Sequence, residues 1–150
     1  MTNSDYILFL DESSVTRTNP YLLLGGIIIS RNDYKKVLIP SIQDTKSILG
    51  NSNIVFHYTD ILKKQNGFKF LCSNAEMNTK FWDSLRKNVD KAEFKVITAY
   101  TNVKEYHNEY PEFSHDIYEI LFSSVINSYI HFLTKNKTRG SIVFESREET

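Results

Sequence analysis

The chain has 150 residues and a formal net charge of zero, from 18 lysines and arginines against 18 aspartates and glutamates. This length suits one domain that folds without a disulfide or a structural metal, and the neutral charge excludes a strongly basic nucleic-acid-binding surface while allowing a local patch. A single cysteine, Cys72, and the lack of both a basic N-terminal start and an apolar run of about 18 residues favour a cytoplasmic protein over a secreted or membrane-inserted one.

Two apolar runs near the start of the chain predict buried strands. Tyr6 to Leu10 is too short for a helix and rich in β-forming residues, and it ends at Asp11. After a polar connection, Tyr21 to Ile29 forms a second run, so we expect the two strands to pair antiparallel. Gly25 and Gly26 interrupt this run and predict a β-bulge, with close approach of a ligand or of another backbone as the alternative.

Residues 31–91 are predicted to be mainly helical. The first helix of this segment contains Pro40, which should kink it or divide it into two pieces. A short helical turn is expected within residues 57–64. Ser73 and Glu76 have the spacing of a capping box, which predicts an amphipathic helix from there to the end of the segment.

The rest of the chain completes an α/β pattern. Phe94 to Tyr100 predicts a third strand, and a wide apolar face over about Glu112 to Leu133 predicts the longest helix. Gly140 then precedes a last strand, Ser141 to Phe144, which runs into Glu145. This order of strands and helices indicates a mixed sheet with helices packed on it.

Two of the predicted strands run directly into carboxylates, the first into Asp11 and the last into Glu145. If these strands are parallel neighbours, the two acids lie across one interstrand spacing of about 4.8 Å, where their repulsion favours a bound cation. Carboxylate oxygens suit Mg²⁺ or Mn²⁺, which hold phosphates and activate water in phosphoryl transfer. Glu12 should point the opposite way and is the weaker ligand. In the alternative interpretation, Asp11 begins a loop and Glu145 begins an exposed charged tail.

Several motifs together resemble a large bacterial family of unknown function. Its hallmark is an apolar strand that runs into Asp-Glu-Ser-Gly, followed by a glycine-containing second strand. The matching segments are Tyr6-Ile-Leu-Phe-Leu-Asp-Glu-Ser13, Leu24-Gly-Gly-Ile-Ile28, His57 with Asp60, the helix from Tyr118 to Leu133, and Gly140-Ser-Ile-Val-Phe-Glu-Ser-Arg147. Ser14 stands where the family usually has glycine, a departure that affects the turn more than the acids.

That family looks ribonuclease H-like, and the resemblance implies an architecture for the chain. The first three strands would form a meander, with residues 31–91 as a helical insertion before the third strand. The long helix would cross over and place the last strand parallel to the first, which gives a mixed sheet of order 3-2-1-4 with helices on its faces. The usual fold continues with a helix, a strand and an acid-bearing helix, so the resemblance implies that this single domain lacks the C-terminal part, as a fragment or as a shortened member.

The resemblance also implies the remaining site residues. It allows an acid from the long helix to reach the metal, for which Glu119 is preferred to Asp116, although both are ordinary solvated acids in the alternative interpretation. His57 would act as a general acid or orient water, unless it only bonds to a backbone carbonyl. The predicted catalytic residues are Asp11, Glu145, Glu119 and His57, and the predicted ligands of the Mg²⁺ or Mn²⁺ ion are Asp11, Glu145 and Glu119.

Two functions remain open from the sequence. The first is a divalent-metal-dependent nuclease that hydrolyses phosphodiester bonds of RNA or DNA. The second is a non-catalytic binding or assembly module of a phage-defence or mobile-element system, which keeps the fold, uses the helical insertion as a partner surface and forms a homo-oligomer. Neither involves a membrane. Because the chain is neutral, any contact with nucleic acid must be local and metal-assisted.

Overall fold

The computed structural model describes residues 5–13, 15–111 and 116–144. The chain divides into two compact units, Met1–Arg31 with Phe94–Thr150, and Asn32–Glu93. We call them the sheet unit and the helical unit, after the secondary structure that each contains. Among the described residues, no helix combines the length and the apolar character needed to cross a bilayer.

The sheet unit has four strands in the order β3-β2-β1-β4. They are β1, Tyr6–Ser13; β2, Tyr21–Ser30; β3, Phe94–Asn102; and β4, Gly140–Phe144. β1 pairs antiparallel with β2 and parallel with β4, while β2 pairs antiparallel with β3. The predicted mixed α/β sheet and its order are therefore confirmed. β1 is longer than predicted, because its pairing with β2 continues past Asp11 to Ser13.

The helix α6, Ile117–Lys135, covers one face of this sheet. Its buried side chains recur every fourth residue, as the helical period requires. They pack against alternate residues of β1 and β2, and the shared core contains Leu8, Leu10, Leu24, Ile28, Ile117, Leu121, Val125 and Tyr129. Since side chains alternate along a strand, the intervening residues belong to the second face of the sheet, opposite α6.

Capping side chains begin both helices that follow β3. The carboxylate of Asp116 accepts a hydrogen bond from the backbone N–H of Tyr118 at 2.9 Å, which starts α6. The helix was predicted to begin near Glu112, but it begins at Ile117, because Asp116 at its N-cap is extended; Glu112 itself lies outside the described residues. A shorter helix, α5, Val103–Glu109, was not predicted, because its mainly polar sequence has no apolar stripe. It is capped by the side chain of Asn102.

The glycine pair in β2 causes no bulge. Gly26 pairs with Leu10 and Gly25 pairs with Asp11, and each β2 residue from Leu23 to Ser30 has one partner on β1. A bulge would place two residues opposite one. The predicted bulge is therefore wrong. This leaves the alternative, in which a ligand or another part of the backbone approaches the glycines closely.

The helical segment that follows β2 is divided as Pro40 predicts. It consists of α1, Arg31–Asp33, a π-helical turn at Tyr34–Leu38, and α2, Ile39–Ile48. Pro40 lies in the first turn of α2, directly after the π-helical turn, which is where the regular hydrogen-bond pattern of this helical segment changes. The remaining elements of this segment are α3, Tyr58–Lys63, a 3₁₀ helix at Asn66–Cys72, and α4, Ala75–Lys91.

The cap of α4 differs from the predicted one by a single residue. Asn74, not Ser73, accepts a hydrogen bond from the backbone N–H of Met77, at 2.9 Å. The hydroxyl of Ser73 instead donates to the carbonyl oxygen of Phe70 in the preceding 3₁₀ helix. Asparagine caps helices as well as serine does, so the two neighbouring residues compete for this position.

The helical unit has its own hydrophobic core. Its buried members are Ile54, Ile61, Phe68, Leu71 and Phe81. Phe68 and Phe81 pack edge to face with ring centroids 6.0 Å apart, and Trp82 packs in the same way on Phe81 at 5.5 Å. Such aromatic pairs stabilise a core beyond the area that they bury.

Candidate functional site

Asp11 lies near the end of β1 on the second face of the sheet. Leu8 and Leu10 face α6, so the alternation along the strand places Asp11 on the side of Phe9. Its carboxylate is exposed, and Oδ1 accepts a hydrogen bond from the backbone N–H of Glu12 at 2.8 Å. Asp11 thus presents oxygen ligands to solvent from a residue whose backbone is fixed by the sheet.

The partner expected for Asp11 follows β4 directly in the sequence. The parallel ladder pairs Leu8 with Ile142 and Leu10 with Phe144, which are the last paired residues. Glu145 is outside the described residues, so its proximity to Asp11 stays a prediction. The other charged residues at this end of the chain, Arg147 among them, also lie outside the described part.

The acids of α6 lie on a different side of the sheet from Asp11. Glu119 is exposed in the first turn of α6, and α6 packs on the face that holds Leu8 and Leu10. The preceding acid, Asp116, serves as the helix cap, which is a structural role. By strand alternation, the carboxylate of β1 that shares a face with α6 is Glu12.

His57 belongs to the helical unit. It occupies the N-cap position of α3 in an extended conformation, is exposed, and makes no capping hydrogen bond through its side chain. Nearby Asp60 accepts a hydrogen bond from Nε2 of Gln65 at 2.7 Å. This bond, with a second from the Asn66 side chain, lowers the pKa of the Asp60 carboxyl. Asp60 therefore has a local structural role at the end of α3.

The described residues do not assemble a complete metal site. Within them, no three side chains of His, Cys, Asp or Glu come together in a group that could hold an ion. Of the predicted site residues that are described, Asp11 and Glu119 belong to the sheet unit and His57 to the helical unit. The predicted pairing of Asp11 with Glu145 stays untested, because Glu145 is outside the described residues.

A groove on the second face of the sheet begins at Asp11. Its volume is about 480 Å³, and its lining includes Phe9, Asp11, Leu23, Gly25, Ile27 and Val96. These residues come from three adjacent strands, where Asp11 pairs with Gly25 and Gly25 pairs with Thr98. The groove is mainly apolar, with the carboxylate of Asp11 at one end. Sequence reasoning located Asp11 but missed this groove, because the lining becomes visible only once the strand register is known.

The two glycines of β2 have different reasons for being glycine. A Cβ atom on Gly26 would lie 2.7 Å from a methyl group of Leu8 and 2.8 Å from the Phe9 carbonyl oxygen, so the core excludes a side chain there. A Cβ atom on Gly25 would meet only the tips of two side chains, Leu23 at 3.3 Å and Thr98 at 3.6 Å. Neither glycine has a positive φ angle. Packing therefore explains Gly26, whereas neither packing nor backbone geometry requires Gly25.

No family model, curated protein or solved structure matches the chain. The resemblance to a ribonuclease H-like family therefore depends on the motifs quoted above. The structure itself shows an α/β arrangement with a four-stranded mixed sheet of order 3-2-1-4.

Two tyrosines extend the second face beyond the groove. Tyr100 pairs with Leu23 across β2 and β3, and Tyr21 lies two residues from Leu23 on the same face. Their rings contact edge to face with centroids 6.1 Å apart. Tyr100 is 67% exposed and Tyr21 is 44% exposed, so both rings are accessible beside the apolar groove.

Proposed function

We propose that the sheet unit is a divalent-metal-dependent phosphodiesterase domain that acts on nucleic acid and has a ribonuclease H-like fold. The observation that carries this proposal is the parallel pairing of β1 with β4, with Leu10 opposite Phe144. The next residues in sequence are Asp11 and Glu145. If the same register continued by one residue, these two carboxylates would lie side by side, where their mutual repulsion would favour a cation between them.

Asp11 has the chemistry that such an ion requires. Its exposed carboxylate supplies the hard oxygen ligands that Mg²⁺ and Mn²⁺ prefer, and the bond from the Glu12 N–H orients it. When bound, the ion would polarise a phosphoryl oxygen and lower the pKa of a water molecule. Asp11 and Glu145 would hold it, and their negative charge repels a phosphodiester unless the ion is present. Glu119 and His57 are additional predicted site residues that this minimal pair does not need.

Cleavage and metal binding by the full chain test this proposal. We expect labelled RNA or DNA to be cleaved with Mn²⁺ and not with EDTA. We expect Asp11→Asn and Glu145→Gln each to lower the rate by at least about 100-fold, since each removes a ligand charge that stabilises the transition state. Glu109→Gln is the matched control, because Glu109 is an exposed acid at the end of α5 and remote in sequence from both ligands.

Two results would contradict the nuclease assignment. One is cleavage that Asp11→Asn leaves unchanged, which would indicate a contaminating enzyme or a different site. The other is a melting temperature that Mn²⁺ does not raise, although a ligand bound only by the folded state should raise it.

A non-catalytic binding module is the second candidate. It is favoured by the lack of a three-ligand metal group in the described part of the chain, together with the open groove beside Asp11. A stable oligomer by light scattering, combined with no effect of Mn²⁺ on melting, would support this function over the first.

A further inference from the structure

We propose that the groove beside Asp11 binds the bases of single-stranded nucleic acid. The choice of nucleic acid as the ligand rests on the proposed function. The new element is the position of its bases on the sheet. The groove has a volume of about 480 Å³. Binding sites for small organic groups measure about 300–1,000 Å³, so a base and part of its sugar fit this space.

Gly25 is the residue that indicates a ligand. Glycine within a strand lowers stability and buries no side chain, so a position that tolerates another residue normally has one. Gly25 has an ordinary strand conformation, and a Cβ atom there would contact only the flexible end of Leu23 and a methyl group of Thr98. Its bare backbone lies in the groove beside Asp11. A side chain at this point would fill the groove, which explains its absence.

The lining of the groove suits the faces of bases. Leu23, Ile27 and Val96 offer apolar contacts, and Val96 is 64% exposed in the absence of a ligand. Ser13 also lines the groove, but its hydroxyl accepts a hydrogen bond from the backbone N–H of Leu23 at 3.2 Å. With few polar groups to read base edges, we expect contacts that tolerate many sequences.

The exposed Tyr21 and Tyr100 continue this surface at the Asp11 end of the sheet. Single-stranded nucleic acids commonly bind sheet surfaces where bases stack on aromatic side chains. A paired duplex hides its base faces, so only unpaired bases can use the groove and the tyrosine pair together. We therefore infer a strand that crosses β2 and β3, with one base in the groove and the next on Tyr100.

The charge near the groove sets a condition for binding. The carboxylate of Asp11 lies at one end of it, and none of its lining residues is lysine or arginine. The phosphates of the strand therefore meet negative charge, and a divalent ion on Asp11 should strengthen binding. The base contacts do not depend on this ion, so they can be measured separately from it.

Binding of labelled 12-nucleotide strands to the full chain tests the inference. One strand carries thymine bases and the other is abasic, with identical phosphates; Ca²⁺ replaces Mn²⁺ because it takes the same oxygen ligands. Fluorescence anisotropy should show that the thymine strand binds at least about 25-fold more tightly than the abasic one, from about five-fold for each of two bases. Gly25→Val should remove about five-fold of this difference, which is the share of the base in the groove.

A second pair of variants keeps the test informative if Gly25→Val folds poorly. Tyr100→Ala should weaken binding of the thymine strand by about five-fold, whereas Tyr100→Phe, which keeps the ring, should bind like the original chain. Melting curves would establish that each variant folds. Equal binding of the thymine and abasic strands would overturn the inference, as would unchanged thymine binding in a folded Gly25→Val variant.

The two proposals fail in different ways. If Asp11 holds no metal, Ca²⁺ will have no effect on binding and Asp11→Asn will not weaken it, but Gly25→Val will still weaken binding of the thymine strand. If the groove holds no base, the thymine and abasic strands will bind equally, while Mn²⁺-dependent cleavage by the original chain will still be lost in Asp11→Asn. A peptide or an apolar small molecule that binds while the thymine strand does not would assign the groove to another ligand and overturn the inference.

Discussion

Tyr129 joins α6 to the beginning of β4 through one buried ring. Only 2% of its surface is exposed, and its hydroxyl donates a hydrogen bond to the carbonyl oxygen of Ser141 at 3.3 Å. The ring fits because the adjacent residue is Gly140, where a Cβ atom would lie 2.6 Å from Tyr129 Cζ. This close approach removes water from the hydroxyl, and burial raises the pKa of Tyr129 to about 12.

The raised pKa predicts a loss of stability in alkali. In the unfolded chain, Tyr129 ionises near pH 10, whereas in the folded chain the neutral form persists to about pH 12. Its stabilising effect is complete below pH 10 and is lost as the pH rises from 10 through 12. The loss is about 2–3 kcal/mol in the free energy of unfolding.

Denaturant unfolding of the original chain and of Tyr129→Phe at several pH values checks this. The phenylalanine variant keeps the ring and removes the ionisable group, so the difference in stability between the two chains should shrink across this interval. Parallel curves for the two chains from pH 9 to pH 12 would contradict the prediction.

At the scale of elements, a buried polar network joins α2 to α4. The side-chain amide of Asn88 donates to the carbonyl oxygen of Ser41 and to Oγ1 of Thr45, each at 2.6 Å. The Thr45 and Ser84 hydroxyls lie 2.7 Å apart. Asn88 and Thr45 are both buried. Because these bonds connect residues about forty positions apart, they fix how the two helices of the helical unit align.

Asn88→Ala should therefore lower the free energy of unfolding by about 1–3 kcal/mol, since it leaves the Ser41 carbonyl and Thr45 hydroxyl without this donor in a buried site. Asn78→Ala is the matched control on the same helix. Among the described residues, Oδ1 of Asn78 is buried without a hydrogen-bond partner, so its removal should be neutral or stabilising. Urea unfolding followed by Trp82 fluorescence measures both, and an equal loss in the two variants would contradict the prediction.

The strands and the long helix were predictable because their signals are local. The apolar run of β1 and the four-residue spacing on α6 specify elements from a few adjacent residues. Errors arose where neighbours compete or where no periodicity exists. Asn74 rather than Ser73 caps α4, and α5 has too few apolar residues to show a helical pattern in the sequence.

The candidate site was less predictable, because its geometry depends on pairing between distant segments. The sequence places Asp11 at a strand end, and alternation predicts that Glu12 points away from it. The sequence does not reveal that α6 covers the Glu12 side, which separates Glu119 from Asp11. Likewise, the role of Gly25 emerges only when its partners Asp11 and Thr98 are known.

At the scale of the whole molecule, the helical unit has a hydrophobic core of its own, so we expect it to fold independently. Its hydrophobic core draws only on its own residues, with Phe68 and Phe81 almost completely buried. We predict that residues 32–93 expressed alone unfold cooperatively, with Trp82 fluorescence similar to that of the full chain. Phe81→Ala should abolish this transition, because truncation of a buried phenylalanine costs about 3–5 kcal/mol in so small a unit. A gradual, non-cooperative unfolding of residues 32–93 would contradict the prediction.

The position of the helical unit in the chain also affects how the sheet can assemble. Ile29, next to the end of β2, pairs with Phe94, the first residue of β3, although about 60 residues separate them. Pairing β2 with β3 from an unfolded chain must close this long loop, and the entropy lost grows with loop length. A helical unit that folds first shortens the effective loop. Its early folding would therefore convert a contact between distant segments into a kinetically local one, comparable to the closing of an ordinary hairpin.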